Sequence, residues 1–418
     1  MNKNPSTDKP ASGGAEASNA TVVANKALRD RIKHFTPSWF SITMGTGIVS
    51  ILLHQLPYQF PGLHVISTVI YLVNVILFVI FSVISIARYT IYPYIGVLML
   101  KHPVQSMILG TVPMGLSTIV NMTVFVAVQD AGFGAWSWKL AWSLWWFDAI
   151  WSLLTCLGVP FLMISVHQQS LEKMTAVVLL PIVSTIVAAA SGGVVAQILP
   201  RPHAVTTLVA SYILWGTGIP LALSVIVLYL HRLTIYKLPS REVIVSTFLP
   251  LGPLGQGAFG LMKLGSVAKG IGWPTQSAGE IYYTAGLWVG LIMWGYGLVW
   301  LVFASGAIVV SLPRFPFNMG WWGFTFPLGV YTLATTTLGN ELDLGFFRVL
   351  GTIFSCVVVL LWIVVTWKTL SDGVFGGKLF VSPCVMEDEK ERLSRRQLNE
   401  CGNGVERVVD EIEMTRRA

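Results

Sequence analysis

Charge is almost absent from one long stretch of this chain. Residues 36–367 hold 12 Lys/Arg and 7 Asp/Glu, whereas the two ends hold the other 15 and 13. Soluble domains carry about 25% charged residues, against 11% over these 418 residues, 54% of which are apolar. So long a stretch of that composition does not fold as a water-soluble domain, and its side chains belong in lipid. A hydrocarbon core about 30 Å thick takes about 20 helical residues per crossing. With no water to satisfy the backbone, crossing segments pair their own N–H and C=O groups as helices. The stretch therefore predicts an all-α polytopic membrane protein of about ten spans.

Ten apolar runs are legible, at about 37–55, 63–87, 103–128, 138–164, 175–199, 205–230, 243–264, 281–311, 318–339 and 346–368. The predicted organisation is a disordered cytosolic tail over 1–34, a ten-helix transmembrane domain over 35–370 and a cytosolic tail over 371–418. Residues 1–34 are rich in Ser, Ala, Asn and Gly without an apolar segment, so no cleavable signal peptide and little folding are expected there. Basic residues orient the spans, because short cytosolic loops carry the excess of Lys and Arg. Arg88, Lys101, Lys173, Arg232, Lys237, Arg241 and Arg314 would face the cytosol, against Lys139, Arg201, Lys269 and Arg348 outside. Both termini are thus expected in the cytosol. The C-terminal run Glu387–Arg392 reads as a partly helical, solvated tail. Net charge of +7 belongs largely to these loops, so the expected partner is the bilayer and not nucleic acid. Cys156 and Cys356 lie in apolar runs, Cys384 and Cys401 in the tail, with no metal-type spacing. No metal and no cofactor are implied.

Breakers recur in the odd-numbered spans: Thr43-Met44-Gly45, Pro113-Met114-Gly115, Pro181-Ile182-Val183, Pro250-Leu251-Gly252-Pro253 and Pro327-Leu328-Gly329. Positions 45, 115, 183, 252 and 329 are 70, 68, 69 and 77 residues apart, which predicts one helical hairpin repeated five times. A proline within a membrane helix frees a carbonyl that a neighbour or water must satisfy. Kinks at Gly45, Pro113, Pro181, Pro250 and Pro327 would accordingly lie inside, around a wet central path, with the even spans as a lipid-facing outer ring.

Few polar groups are available to such a path. Lys263, near the outer end of the seventh span after Gly255–Gly260, would attract anions if it faces a narrow passage; the alternative is an interfacial lysine reaching water along its stem. Asn121 and Gln256 offer uncharged donors. Asp148, in Trp145-Trp146-Phe147-Asp148 on an even span, is expected to turn inward and hydrogen-bond a neighbour, because an intramembrane carboxylate is costly; a part in transport chemistry is the alternative. The aromatic run Trp321-Trp322-Gly323-Phe324-Thr325-Phe326-Pro327 places large rings beside the ninth-span break, and apolar constrictions gate by excluding water. No metalloprotease, phosphate-loop or nucleophile-elbow motif occurs, so the chain is not expected to be an enzyme; a membrane-embedded enzyme is the alternative of another class.

His34-Phe35-Thr36-Pro37-Ser38-Trp39-Phe40, Met44-Gly45-Thr46-Gly47-Ile48 and Trp321–Leu328 resemble the tellurite-resistance/dicarboxylate transporter family, in the first span most closely its fungal sulfite pumps. The resemblance covers about residues 33–370. It implies five helical hairpins with the odd helices around a pore, a homotrimer with one pore per subunit, and a pore-blocking phenylalanine that maps onto Phe326. It further implies sulfite or hydrogensulfite efflux across the plasma membrane, with malate or another dicarboxylate, or a channel mode, as the alternative within the family.

Overall fold

The computed structural model describes residues 29–313, 316–376 and 379–394. Residues 1–28 of the expected N-terminal tail, Arg314, and the C-terminal residues from Arg395 onward, Cys401 included, lie outside the described residues. The described residues are helical, without a strand among them. The long helices are α1 (Phe40–His54), α2 (Leu63–Ile91), α3 (Thr111–Met122), α4 (Ala135–Ser165), α5 (Leu179–Ala196), α6 (Arg201–Tyr236), α7 (Leu251–Ile271), α8 (Gln276–Ser311), α9 (Thr325–Glu341) and α10 (Gly345–Lys368). A π-helical segment, Thr123–Asp130, prolongs α3, and a short helix, Pro93–Lys101, follows α2. Seven spans are long and apolar enough to cross a membrane: α2, α3 with its extensions, α4, α5 with its extension, α6, α8 and α10. The chain is thus a polytopic helical membrane protein. Of the other three, α1 and α9 have only 15 and 17 residues, and α7 is rich in glycine and carries Lys263 and Lys269.

Burial separates two kinds of helix. The apolar windows of Met107–Asp130 and Ala176–Ala196 are 83% and 89% buried, against 11% for α2 and at most 39% for α4, α6, α8 and α10. Every residue of α1 from Phe40 to Leu52 is buried, as is every residue of α9 from Thr325 to Gly339. A helix buried all round lies inside other helices. The odd helices pack in the cyclic order α1, α3, α5, α7, α9 and back to α1, and each also packs against the even helix that follows it in the chain. The even helices carry exposed Ile, Val, Leu and Trp on the outside.

Glycine permits the inner ring to close. A methyl group added to Gly255 of α7 would lie 2.6 Å from the Tyr331 Cα on α9, and one added to Gly45 of α1 would lie 2.4 Å from the Thr325 Oγ1 on α9. Between helices in lipid, where no hydrophobic driving force acts, such close backbone approach supplies the packing energy. A matching set of hydrogen bonds ties each outer helix to the next inner one. Asn74 Nδ2 of α2 donates to Thr118 Oγ1 of α3 (3.3 Å), Trp145 Nε1 of α4 to the Ala188 carbonyl of α5 (2.8 Å), and Trp215 Nε1 of α6 to the Gly257 carbonyl of α7 (3.0 Å). Trp294 Nε1 of α8 donates to Thr335 Oγ1 of α9 (2.8 Å), and Trp362 Nε1 of α10 to Thr46 Oγ1 of α1 (3.1 Å), which closes the circle.

The prolines play a different part from the mid-span kinks expected of them. Pro113, Pro181 and Pro327 are each the third residue of α3, α5 and α9, and Pro250 immediately precedes α7. First-turn N–H groups have no partner within a helix, so proline there forfeits no hydrogen bond. A short 3₁₀ segment precedes each inner helix: Pro37–Trp39, Met107–Gly110, Ala176–Val178, Ile244–Phe248 and Met319–Gly323. The repeating unit is thus a helix start. Gly45 is a contact point within α1. Prolines inside helices occur on the outer ring, at Pro160 of α4 and Pro220 of α6.

One face gathers the inner-helix starts with both tails. Thr111 Oγ1 donates to the Pro37 carbonyl (3.2 Å), His167 Nε2 bonds the Leu100 carbonyl (2.8 Å), Arg232 Nη2 donates to the Glu172 carbonyl (2.9 Å) and Asn318 Nδ2 to the Glu242 carbonyl (2.8 Å). The described part of the C-terminal tail is docked there and is not free in solvent. Residues 383–394 are helical, Cys384 and Val385 are buried with Ile95 and Met99, Arg88 Nη2 reaches Ser382 Oγ at 3.1 Å, and Lys33 pairs with Glu389.

Candidate transport path

At the start of α9, Thr325 Oγ1 donates back to the Trp322 carbonyl (2.9 Å) while Trp322 Nε1 donates to Thr369 Oγ1 (3.1 Å). These bonds, with Gly45 of α1 fitted against Trp322 and Thr325, hold the first turn of α9 against its neighbours. Phe324 packs edge-on against Phe248, with ring centroids 5.1 Å apart, and against Trp321 at 5.8 Å. Phe326, two residues on, has no ring stacked on it among the described residues, yet it is only 3% exposed. Phe326 is thus packed within the bundle near the start of α9.

Towards the face opposite the tails the ring opens into a polar cavity of about 360 Å³, lined by His54, Gln55, Gln59, Lys263, Thr336, Thr337, Asn340 and Glu341, with Leu56 and Pro57. Lys263 of α7 lies in its wall. Among the described residues its ammonium has no ion-pair or hydrogen-bond partner, whereas Glu341 accepts a hydrogen bond from Tyr283 (2.9 Å). Lys269, two turns further, is paired with Glu280 at 3.2 Å. The cavity thus holds Lys263 and the Glu341 carboxylate in one wall, beside hydroxyl and amide groups. Asn121 of α3 and Gln256 of α7 do not reach this wall; both are buried, and Asn121 Oδ1 and Gln256 Oε1 have no hydrogen-bond partner. Buried polar atoms without partners are rare in folded proteins, and these two lie on inner helices.

Asp148 is fully buried on α4 and accepts a hydrogen bond from Ser117 of α3. It links an outer helix to an inner one. The vestibule residues of α9 were missed in the sequence, although Thr336 and Asn340, like Thr337 and Glu341, are four apart and share a helix face.

The inner helices thus form a closed ring that ends in a polar vestibule carrying one lysine, Lys263, and one glutamate, Glu341. Residues 34–370 match the model of the voltage-dependent anion channel family, and the chain belongs to that family, as the residues around Pro37 and Trp321 suggested. It is 51% identical over 339 residues, 80% of this chain and 89% of the relative, to the sulfite efflux pump of Arthroderma benhamiae. The sulfite efflux pump of Saccharomyces cerevisiae is 27% identical, covering 81% of this chain and 87% of the relative. The malic acid transport protein of Schizosaccharomyces pombe is 23% identical, covering 81% and 78%.

Proposed function

We propose that this protein exports sulfite or hydrogensulfite across the plasma membrane, through the axis of the inner helices, with Phe326 as the gate. The observation that carries the reading is the pairing of a buried phenyl ring at the start of α9 with a polar vestibule, lined by Lys263, at the other end of that helix. Support for the cargo comes from the sulfite efflux pumps to which the chain is about half identical. All ten long helices cross the bilayer as five hairpins, α1, α7 and α9 being protected from lipid and so free to be short or polar. With an even number of crossings both termini lie in the cytosol, in keeping with Lys33 and Glu389 meeting on one face. The subunits form a homotrimer with one path each.

The inner helices all start on the tail face, so their partial positive ends collect anions at the cytosolic mouth. Conduction needs a site weak enough to release its ion. Uncharged donors such as Asn121 and Gln256, with Lys263 near the exit, meet that need better than a deep cationic pocket. In a sulfite-sensitive yeast strain, expression should restore growth on sulfite and raise sulfite release. No gain in either, with the protein at the cell surface, would refute the cargo. Labelled malate uptake in the same cells tests the dicarboxylate alternative, to which the malic acid transport protein gives some weight.

A further inference from the structure

We propose that His54, His64 and Asp130 form a site for a divalent transition-metal ion of the zinc type, which clamps the rim of the vestibule. The three residues come from the end of α1, the start of α2 and the end of the π-helical extension of α3, and one ligand atom from each lies within 4.8 Å of the others. His54 Nε2 is 2.9 Å and His64 Nδ1 3.8 Å from the same Asp130 carboxylate oxygen. In a tetrahedral zinc site with bonds near 2.0–2.1 Å, neighbouring ligand atoms are about 3.3 Å apart, so closure needs only small side-chain shifts. The rings are already oriented: His54 stacks on Phe125 at 5.2 Å and 16°, and meets His64 edge-on at 4.6 Å.

Two imidazole nitrogens and one carboxylate oxygen suit zinc and its neighbours, whereas calcium and magnesium prefer sites built of oxygen alone. The His54 side chain is 9% exposed, but His64 and Asp130 are 52% and 43% exposed, leaving a way in and room for a water as fourth ligand. His54 also lines the vestibule, and its backbone carbonyl receives Gln59 Nε2 at 3.0 Å, across the loop that carries Gln55 and Gln59 into the cavity wall. A bound ion would therefore pin three helix ends and that loop together at the mouth. Asp130 lies 76 residues from His54 in the chain, so only the packing of the helices brings the cluster together.

The test uses the purified full-length chain in detergent, titrated with cobalt(II), whose visible absorption is intense only in tetrahedral sites. The parent should bind one cobalt per chain with such bands, and zinc should displace it. His64→Ala and Asp130→Asn should each weaken binding at least tenfold, while His203→Ala leaves it unchanged. Absence of the bands in the parent, or their persistence in the His64→Ala/Asp130→Asn double variant, would overturn the site. In vesicles, zinc on the vestibule side should lower anion release by the parent and not by His64→Ala. Parent release insensitive to zinc at saturating occupancy would overturn the clamp. The binding arm is independent of the cargo, so failure of the transport reading would leave it standing.

Discussion

Phe326 occupies the first turn of α9 beside a proline that cannot donate a hydrogen bond, so the backbone there is held by packing and by the Thr325 and Trp322 bonds. Removing its ring takes away core contacts and, under the proposed gating, the apolar plug. Phe326→Ala should raise anion current or sulfite leak per folded protein, while folded yield falls in line with the roughly 3–5 kcal/mol such truncations cost. Phe324→Ala should lower yield without leak, since Phe324 is committed to Phe248 and Trp321. The reverse pattern would move the gate two residues earlier. Lys263→Gln should reduce flux and Lys263→Glu reduce it further, because the second change replaces the lining's one lysine by a second carboxylate beside Glu341; equal flux in all three would return Lys263 to a lysine that merely reaches for water. The aromatic run at the ninth-span break pointed to no single ring and only the family resemblance picked out Phe326, whereas Lys263 was legible in the sequence as a rare intramembrane charge. Glu341 and His54 were not, because their role depends on helices meeting that lie far apart in the chain.

Among the elements, the odd helices could be told from the even by their recurring breakers, but what the breakers do could not. Pattern alone marks a proline; only the 3₁₀ segment preceding each inner helix shows that it begins the α-helix. The indole ties were also hidden, since a tryptophan in an apolar run looks the same whether it faces lipid or a neighbour's carbonyl. Trp215→Phe keeps most of the ring and loses the bond to the Gly257 carbonyl, and should destabilise the fold by about 0.6 kcal/mol, at most about 1.7, the range for hydrogen bonds between membrane helices. Thermal unfolding in detergent measures it, and Trp145→Phe should add independently, being tied to a different pair of helices.

The docked tail helix makes a further element-scale prediction. Its hydrogen bond to Lys33 holds the Glu389 carboxyl below the usual range, so that contribution is full above the ordinary carboxylate pKa and is lost as pH falls through the depressed value. The same bond raises Lys33, whose contribution is full at neutral pH and fades only at strongly alkaline pH. Hydrogen exchange over residues 383–394 should therefore quicken as pH is lowered from 7 towards 4, after correction for intrinsic exchange rates. Glu389→Gln should already show the faster rate at pH 7. The effect is modest because the pair is partly exposed.

At the scale of the whole molecule, five inner helices begin on one face and α1, α3 and α9 end around the rim and vestibule of the other. Their partial positive ends lie at the first face, and the vestibule with Lys263 and Glu341 lies at the second. Near absence of charge over 332 residues made the membrane class legible. The closure of the ring was not, since it rests on glycines such as Gly255 and Gly45 whose partners lie 76 and 280 residues away. The central claim is tested most directly by reconstituting the purified chain in vesicles loaded with sulfite, at alkaline pH where the charged anion does not cross lipid unaided, and recording release. Release should exceed that of protein-free vesicles, rise with Phe326→Ala and fall with Lys263→Glu. Release by both the parent and Phe326→Ala that matches protein-free vesicles would contradict an anion path through this ring.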